Sequence, residues 1–465
     1  MWELRGSDLA LVREQLGREP LTRFAVVARC GDGHPMVIRN HPRDDEGAPF
    51  PTLHWLTCPE AVRAVSRQEA EGWIKRLDQR AREDPRFGEE LERAHRSTAA
   101  ERERWEPGAG AWGGVAGTVT GVKCLHAHYA HHLAGGEDPI GAWVAERVEP
   151  VHSGEDRSGR VAAVDVGTNS VRLLVARPSD GDPVELSRDM VITRLGRGVD
   201  RTGRLDPSSV RATLDVLATY ARRARALGAE RMRVGCTSAV RDAADRDVFL
   251  REAERITGRR PEVLDGEEEA ALSFAGATAS LDAPSPFLVF DIGGGSTELV
   301  LGASEVEAAI SVDVGSVRLT ERVRPADPPR PEDLAAMRRI AAEALEEASA
   351  RIPSGGAATL VGVAGTTTTV QALALGLERY DPEAIHRSVL TRSTAASVSR
   401  RLAAMTTAER RALPVMAPGR EDVIVAGCEL LLEIMERWGF EACLVSERDI
   451  LDGLAMSLVA SGGGR

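Results

Sequence analysis

Two segments of the chain share one pattern of apolar and polar positions. In VAAVDVGTNSVRLLVA (161–176) and FLVFDIGGGSTELVL (287–301), an apolar run ends in an aspartate, passes through glycine and hydroxyl residues, and resumes as an apolar run. Short unbroken apolar runs bounded by glycine read as buried strands, and strand, tight turn, strand reads as a hairpin. Asp165 and Asp291 stand 126 positions apart. The repeat therefore predicts a duplicated unit in which each half gives one hairpin to a shared cleft. Between the hairpins, VLDGEEEAALSFAGA (263–277) predicts a strand end and then a helix opening on three glutamates. VGCTSAVRDAADRDVFL (234–250) and VGVAGTTTTVQAL (361–373) each read as strand, polar turn, helix. The alternation predicts an α/β architecture from about residue 161 onward.

The first 150 residues read differently. TRFAVVARCGDGHPMVIRNHP is strand-like with turns, and a helix starts at Pro59 behind Thr57 or Cys58 as cap. The charged stretch that follows reads as two surface helices split near Pro85, so a separate α+β domain is expected. Composition supports the division. Six of seven tryptophans, nine of ten histidines and both lysines, Lys75 and Lys123, lie at or before His152. The expected boundaries are 1–150 for this domain, 151–160 for a polar linker, 161–285 for a first lobe and 286–465 for a second.

Charge and length narrow the chemistry. No apolar run approaches the ~18–20 residues of a membrane helix, and the charged N-terminus offers no signal-peptide core. Six scattered cysteines without a CxxC pair suit a reducing compartment, so a cytoplasmic address is expected. A net charge of −12 argues against nucleic acid as partner, and a lysine-free second part excludes a Walker A loop there. Neither excludes a polyanionic substrate, which needs only local arginines and backbone N–H groups.

The turns 167–170 (Gly167, Thr168, Asn169, Ser170) and 293–297 (Gly293, Gly294, Gly295, Ser296, Thr297) are candidate phosphate cradles, their N–H groups facing the anion. Glu298 follows Asp291 by seven positions, and across a tight hairpin the two carboxylates reach one mouth, where they could share a divalent ion or its water. Asp165 is the corresponding carboxylate of the first hairpin. One glutamate of 267–269 could activate water, while acidic residues in a first helical turn are favourable without any chemistry. Arg194, Arg197 and Arg241, with Arg318 after a Gly-Ser turn, stand at glycine- or serine-rich turns and could neutralise a phosphate chain. In VKCLHAHYAHHLAGG, His128 and His132 share a helix face, as do Cys124 and His128; with Cys58 they form a candidate zinc or iron site.

The ordered segments AVDVGTNSVRLLV, RLGRGV, TSAVRDA, GEEEAALSF, DIGGGSTELV, VGSVRLTE, GTTTTVQAL, REDVIVAG and VSERDILDGL resemble the exopolyphosphatase and guanosine-pentaphosphate phosphohydrolase family, over about residues 160–460. That family belongs to the superfamily of sugar kinases, chaperone ATPases and actin. The resemblance implies an actin-like (ribonuclease-H-like) duplicated two-lobe phosphatase unit that hydrolyses terminal phosphoanhydride bonds. It implies Glu269 as base, with Glu268 beside it, and Asp291 and Glu298 as metal and water carboxylates, with Asp165 in the first glycine turn. Mg2+ or Mn2+ is the implied ion, polyphosphate or the alarmone pppGpp the substrate, and a homodimer the implied assembly. The chain resembles the short form of the family, without a further C-terminal helical domain. SERDILDGL stands where many relatives carry a glycine-containing loop. Segments around Cys58 and Cys124 are similar to an uncharacterised bacterial domain family. The rival reading is a polyphosphate or alarmone sensor that binds without turnover.

Overall fold

The apolar runs around the two aspartates become the central strands of two sheets. The computed structural model describes residues 5–44, 46–148, 158–179, 183–279 and 281–460. In the first lobe, β4 (Val161–Val166), β5 (Ser170–Arg177) and β6 (Val184–Ile192) form an antiparallel meander, with β7 (Arg231–Cys236) and then β8 (Glu262–Val263) added in parallel to β4. In the second lobe, β9 (Phe287–Ile292), β10 (Thr297–Gly302) and β11 (Val306–Val312) repeat the meander, and β12 (Thr359–Val363) lies parallel to β9. Two further strands complete it, β13 (Val389–Thr391) and β14 (Ala442–Val445), in the order β11-β10-β9-β12-β14-β13. The first sheet runs β6-β5-β4-β7-β8, so the lobes share one frame apart from the antiparallel edge strand β13. β4 and β9 are buried along their whole length, as expected of strands covered on both faces.

Packing crosses the expected boundary between the lobes. The helix Gly266–Thr278 follows the first sheet in sequence, yet Ala270, Phe274 and Ala277 pack with Phe287, Val289 and Val361 of the second. The final helix, Ile450–Ala460, returns to the first: Ile450, Leu451 and Leu454 pack with Val161, Ala163 and Leu174. These two helices meet at a pair of glycines. A Cβ on Gly276 would lie 2.0 Å from the Asp449 carbonyl oxygen, and one on Gly453 2.0 Å from that of Leu272. Only a residue without a side chain allows this approach. The division at 285 therefore separates the sheets and not the packing.

Ahead of the lobes, β1 (Phe24–Arg29), β2 (Pro35–Asn40) and β3 (His54–Leu56) form an antiparallel sheet. Helices Pro59–Ala70, Trp73–Glu83, Pro85–Trp105, Leu125–Leu133 and Pro139–Val148 complete this unit. Cys58 precedes the first of them, with Pro59 in its first turn. The charged stretch breaks twice and not once: Gly72, at φ 81°, interrupts it before Asp84 caps the helix that begins at Pro85. Of the expected linker, residues 151–157 lie outside the described residues, as do 149 and 150 of the N-terminal unit.

The N-terminal unit is not loosely tethered. Its core residues Leu77, Leu91, Tyr129 and Ile140 are continuous with Val164, Leu173, Val216 and Tyr220 of the first lobe. It covers the edge strand β6, where the Ser187 hydroxyl donates to the Val27 carbonyl at 2.7 Å. Covering an exposed edge removes a site for unwanted strand pairing. Asp189 of β6 meets Arg223 at 2.8 Å and Arg39 of β2 at 3.5 Å. Burial alone would raise this carboxyl; Arg39 and Arg223 outweigh it and hold it at about 2. Among the described residues, no helix is long and apolar enough to cross a membrane.

Candidate functional site

The two hairpins deliver their charged residues in matched register. Asp291 of β9 stands directly opposite Glu298 of β10, and Asp165 of β4 stands opposite Arg172 of β5. Each turn closes on itself: Gly167 N–H donates to the Ser170 carbonyl at 2.9 Å, and Gly293 N–H to that of Ser296 at 3.0 Å. The turns also meet each other. A Cβ on Gly294 would lie 2.9 Å from Thr168 Cβ, and one on Gly295 2.6 Å from Ser238 Oγ. None of residues 293–295 has a left-handed φ, so close approach of the first lobe is what selects glycine at 294 and 295, while a Cβ on Gly293 would crowd the Ser296 carbonyl of its own turn. On the first-lobe side, the Thr168 and Ser238 hydroxyls that meet these glycines bond each other at 2.7 Å.

Beside this junction lies a cleft of about 150 Å3. Of the residues singled out in the sequence, Asp165, Gly167, Thr168, Asn169, Ser170, Asp291, Gly293, Gly294, Ser296 and Glu298 line it; Gly295 and Thr297 do not. The N-terminus of helix Ala364–Ala374 also opens here, through Gly365, Thr366 and Thr368. Free N–H groups at a helix N-terminus favour an anion.

Of the three glutamates at 267–269, one reaches the cleft. Asp265 caps the helix by accepting from the N–H groups of Glu267 and Glu268, and the Glu268 carboxylate answers by accepting from Asp265 N–H at 3.5 Å. This is a capping box. Glu268 is thus occupied in starting the helix, and Glu267 pairs with Arg351 at 2.7 Å on the surface. Glu269 is buried, lines the cleft and accepts from Arg241 Nη1 at 2.9 Å.

Negative charge dominates the cleft. Asp165 Oδ2 accepts from Arg172 Nε at 2.9 Å and Nη2 at 2.7 Å, and the same guanidinium bonds Asp449. Asp165 Oδ1 is buried without a partner. Burial, then the neighbouring Glu298 carboxylate, pushes Asp291 up to about 8. Burial and Glu298 likewise hold Glu269 well above the usual carboxylate range, against the pull of Arg241. Glu298 is raised by burial although Ser311 Oγ donates to it at 2.6 Å. Seven carboxylates (Asp165, Asp189, Glu269, Asp291, Glu298, Glu447 and Asp449) and three guanidiniums (Arg172, Arg188 and Arg420) line the cleft. Hard oxygen donors, one of them an orphaned buried atom, fit an Mg2+ or Mn2+ ion. Asp165, Asp291 and Glu298 do not, however, form a described group with ligand atoms all within 4.8 Å.

The arginines are the main departure from the sequence expectation. Arg194, Arg197 and Arg241 do not line the cleft. Arg194 pairs with Asp422 at 3.0 Å, Arg197 lies in the turn after it, and Arg241 holds Glu269 and the Leu264 carbonyl. Arg318 is engaged by Asp200, Asp242 and Asp313. The cleft wall carries Arg172, Arg188 and Arg420 instead. Arg172 had a readable signal, since it follows Asp165 by the same seven positions that separate Glu298 from Asp291. Arg420 and Asp449 come from distant segments, and no local spacing announces them.

The signature of the Ppx/GppA phosphatase family matches residues 174–461. The chain belongs to this family. Exopolyphosphatase 2 of Mycobacterium tuberculosis is 46% identical over 313 residues, which cover 64% of this chain and 98% of that protein. The guanosine-5'-triphosphate,3'-diphosphate pyrophosphatase of Vibrio vulnificus is 28% identical over 300 residues, 64% of this chain and 59% of that one. The crystal structure of the Aquifex aeolicus member of the Ppx/GppA family superposes with a TM-score of 0.58 at 30% identity, covering 66% of this chain and 99% of that one. The Ppx/GppA unit accordingly has the actin-like two-lobe fold. A second signature, described as a protein of unknown function (DUF501), matches residues 26–146.

In the domain ahead of the Ppx/GppA unit, the candidate metal residues are not brought together. Cys58 is buried ahead of its helix, and His128 is fully buried with Nδ1 2.8 Å from Asp138. His132 does share a helix with His128, as predicted, but neither it, Cys58 nor His128 joins a close ligand group. Cys124 does, with Glu69 and His126; two other described groups are Cys30, Asp32, His34 and His54, Glu101, His131.

Proposed function

We propose that the Ppx/GppA unit hydrolyses terminal phosphoanhydride bonds and releases orthophosphate from inorganic polyphosphate. The observation that carries this reading is the position of Glu269, a buried carboxylate at the cleft where two glycine turns meet. The turn N–H groups hold the terminal phosphoryl oxygens, and the N-terminus of helix Ala364–Ala374 adds a further anion-binding end. Glu269, oriented by Arg241, accepts a hydrogen bond from the attacking water and takes its proton as the P–O bond to the leaving chain breaks. Its raised proton affinity makes it a stronger base than a solvated carboxylate. Asp165, Asp291 and Glu298 would hold a divalent ion, Mg2+ or Mn2+, which supplies neutralising charge to the phosphoryl group. Arg420, whose guanidinium lies over Gly365, is the best-placed arginine for the next phosphate.

A second substrate, pppGpp, is supported by the Vibrio relative and its name. We read the six free cysteines as a sign of a cytoplasmic protein. The decisive experiment supplies Mg2+ and long-chain polyphosphate, short-chain polyphosphate or pppGpp and measures released phosphate. Fastest turnover on polyphosphate is expected. Tight binding of any of them without turnover, or a Glu269→Ala variant as active as the wild type, would sink the hydrolase reading.

A further inference from the structure

Three elements of the N-terminal domain converge on a buried group that the phosphatase reading leaves unused. β3 supplies His54, the helix Leu125–Leu133 supplies His131, and the helix Pro85–Trp105 supplies Glu101. His54 is 3% exposed and His131 2%. One ligand atom from each of the three lies within 4.8 Å of the others. The two imidazoles face each other through Nδ1 atoms 3.4 Å apart, and His54 Nε2 stands 3.5 Å from a Glu101 oxygen.

Hydrogen bonding around His131 fixes its tautomer. The Ser97 and Thr98 hydroxyls each donate to the Ala94 carbonyl at 3.0 Å, so their protons are already used. Both oxygens lie 3.3 Å from His131 Nε2 and accept from it. The proton of His131 is therefore on Nε2, and Nδ1 aims a lone pair at His54. A neutral His54 cannot satisfy both its neighbours. With its proton on Nδ1, the bare Nε2 faces the Glu101 carboxylate; with its proton on Nε2, two lone pairs face each other across 3.4 Å. A doubly protonated His54 would face both neighbours with N–H groups, yet its buried Nε2 stands 3.5 Å from the Glu101 oxygen and finds no hydrogen-bond partner among the described residues. A cation held by His131 Nδ1, one nitrogen of His54 and a Glu101 oxygen removes the conflict. Tetrahedral ligands with metal–nitrogen bonds of about 2.0–2.1 Å stand roughly 3.3–3.4 Å apart.

We propose that His54, His131 and Glu101 bind one divalent transition ion of the Zn2+ class. Glu101 also lines a cavity of about 640 Å3 where the N-terminal domain meets both lobes, beside Trp105, Val191, Tyr220 and Pro418. Two imidazoles and a carboxylate are the three-residue ligand set of zinc sites that keep a fourth position for water or substrate. The site is distinct from the hard-oxygen cleft of the Ppx/GppA unit, and its softer nitrogen donors select a different ion.

The test uses the full chain, equilibrated with Zn2+ and then freed of unbound metal, with elemental analysis of what remains. One Zn2+ per chain is expected, with occupancy falling at least tenfold in His131→Ala and in Glu101→Ala and unchanged in Cys124→Ser. A metal-free wild type, or full occupancy in both of the first two variants, overturns the proposal. Because those variants could lose metal by unfolding, the wild type is also loaded with Co2+. Visible d–d bands without a thiolate charge-transfer band support the His/His/Glu set. A thiolate band places the ion at a cysteine and overturns it, as does the absence of any band.

Discussion

The two glycine hairpins are one design used twice, and a single position separates their tasks. In each, an aspartate ends a buried strand and a charged residue seven positions later returns directly opposite. In the first hairpin that residue is Arg172. Its guanidinium is clamped by Asp165 and Asp449, tying β5 to the start of the final helix, and the pair of carboxylates raises its own proton affinity further. In the second hairpin the residue is Glu298, a like charge, and Asp291 is pushed up to about 8 by burial and by that neighbour. Reversing one sign turns a cross-link into a site that calls for a cation. The first hairpin is tied to the final helix, and the second, with Glu269 beside it, keeps the uncompensated carboxylates on which the proposed chemistry rests.

The largest expected effect tests the second half of that contrast. Glu269→Gln keeps the size of the side chain and its contact with Arg241 but removes the base. Phosphate release from polyphosphate should fall by about 10²–10⁴-fold, the usual worth of a positioned general base. Glu268→Gln, which disturbs only the capping box, should fall far less; equal losses would deny Glu269 its role.

Next in size is the pair that separates the hairpins directly. Arg172→Gln leaves Asp165 and Asp449 buried without their cation, and breaking a buried pair in this way costs about 3–5 kcal/mol. The midpoint of urea unfolding should drop accordingly. Glu298→Gln removes a like charge from Asp291 and should abolish most activity while leaving that midpoint unchanged or higher. If the glutamate variant unfolds as easily as the arginine variant, the division between scaffold and chemistry fails.

The same contrast shows what the sequence could and could not display. Features set by local spacing were readable. Asp291 and Glu298 share a hairpin mouth because seven positions across a tight turn fix the register, and the duplication follows from two copies of one pattern. The same spacing put Arg172 opposite Asp165, although the arginines at glycine turns drew the attention instead. Arg194 and Arg241 stand off the cleft wall because a turn says where the backbone goes and not which acid the side chain finds; Asp422 and Glu269 are 228 and 28 residues away. The Glu268–Glu269 ambiguity had a local answer, since Asp265 with Glu268 three positions later is a capping-box signature. Arg420 and Asp449 reach the cleft only through tertiary folding. In the N-terminal domain, the shared helix face of His128 and His132 was legible, but the partners of His131 come from a strand and from another helix.

A smaller effect probes the junction between the turns. Gly294→Ala places a Cβ 2.9 Å from Thr168 Cβ and 3.2 Å from Val317 Cγ2, so the second turn must move away from the first. Such overpacking costs about 1–3 kcal/mol. In Gly167→Ala the new Cβ lies 3.2 Å from the Ser170 carbonyl within its own turn, touches nothing in the other lobe, and should cost less. Thermal unfolding of both variants checks the order. A reversed order would mean that the lobes do not rely on contact between the turns.

The smallest effect is expected at Ser311, whose hydroxyl donates to Glu298 at 2.6 Å and favours the ionised form. The first hairpin has no such need, because Arg172 already performs that task for Asp165. Ser311→Ala removes the donor, so the proton affinity of the coupled Glu298–Asp291 pair rises. A proton bound there opposes the negative site on which the reaction depends. The acidic limb of the pH profile for phosphate release should therefore move to higher pH, by roughly one unit for a hydrogen bond worth about 1.4 kcal/mol to a charged acceptor. Activity well above that limb should be retained, which distinguishes a shifted titration from a damaged site. A limb that stays in place, or moves to lower pH, would show that the state of Glu298 does not govern the reaction.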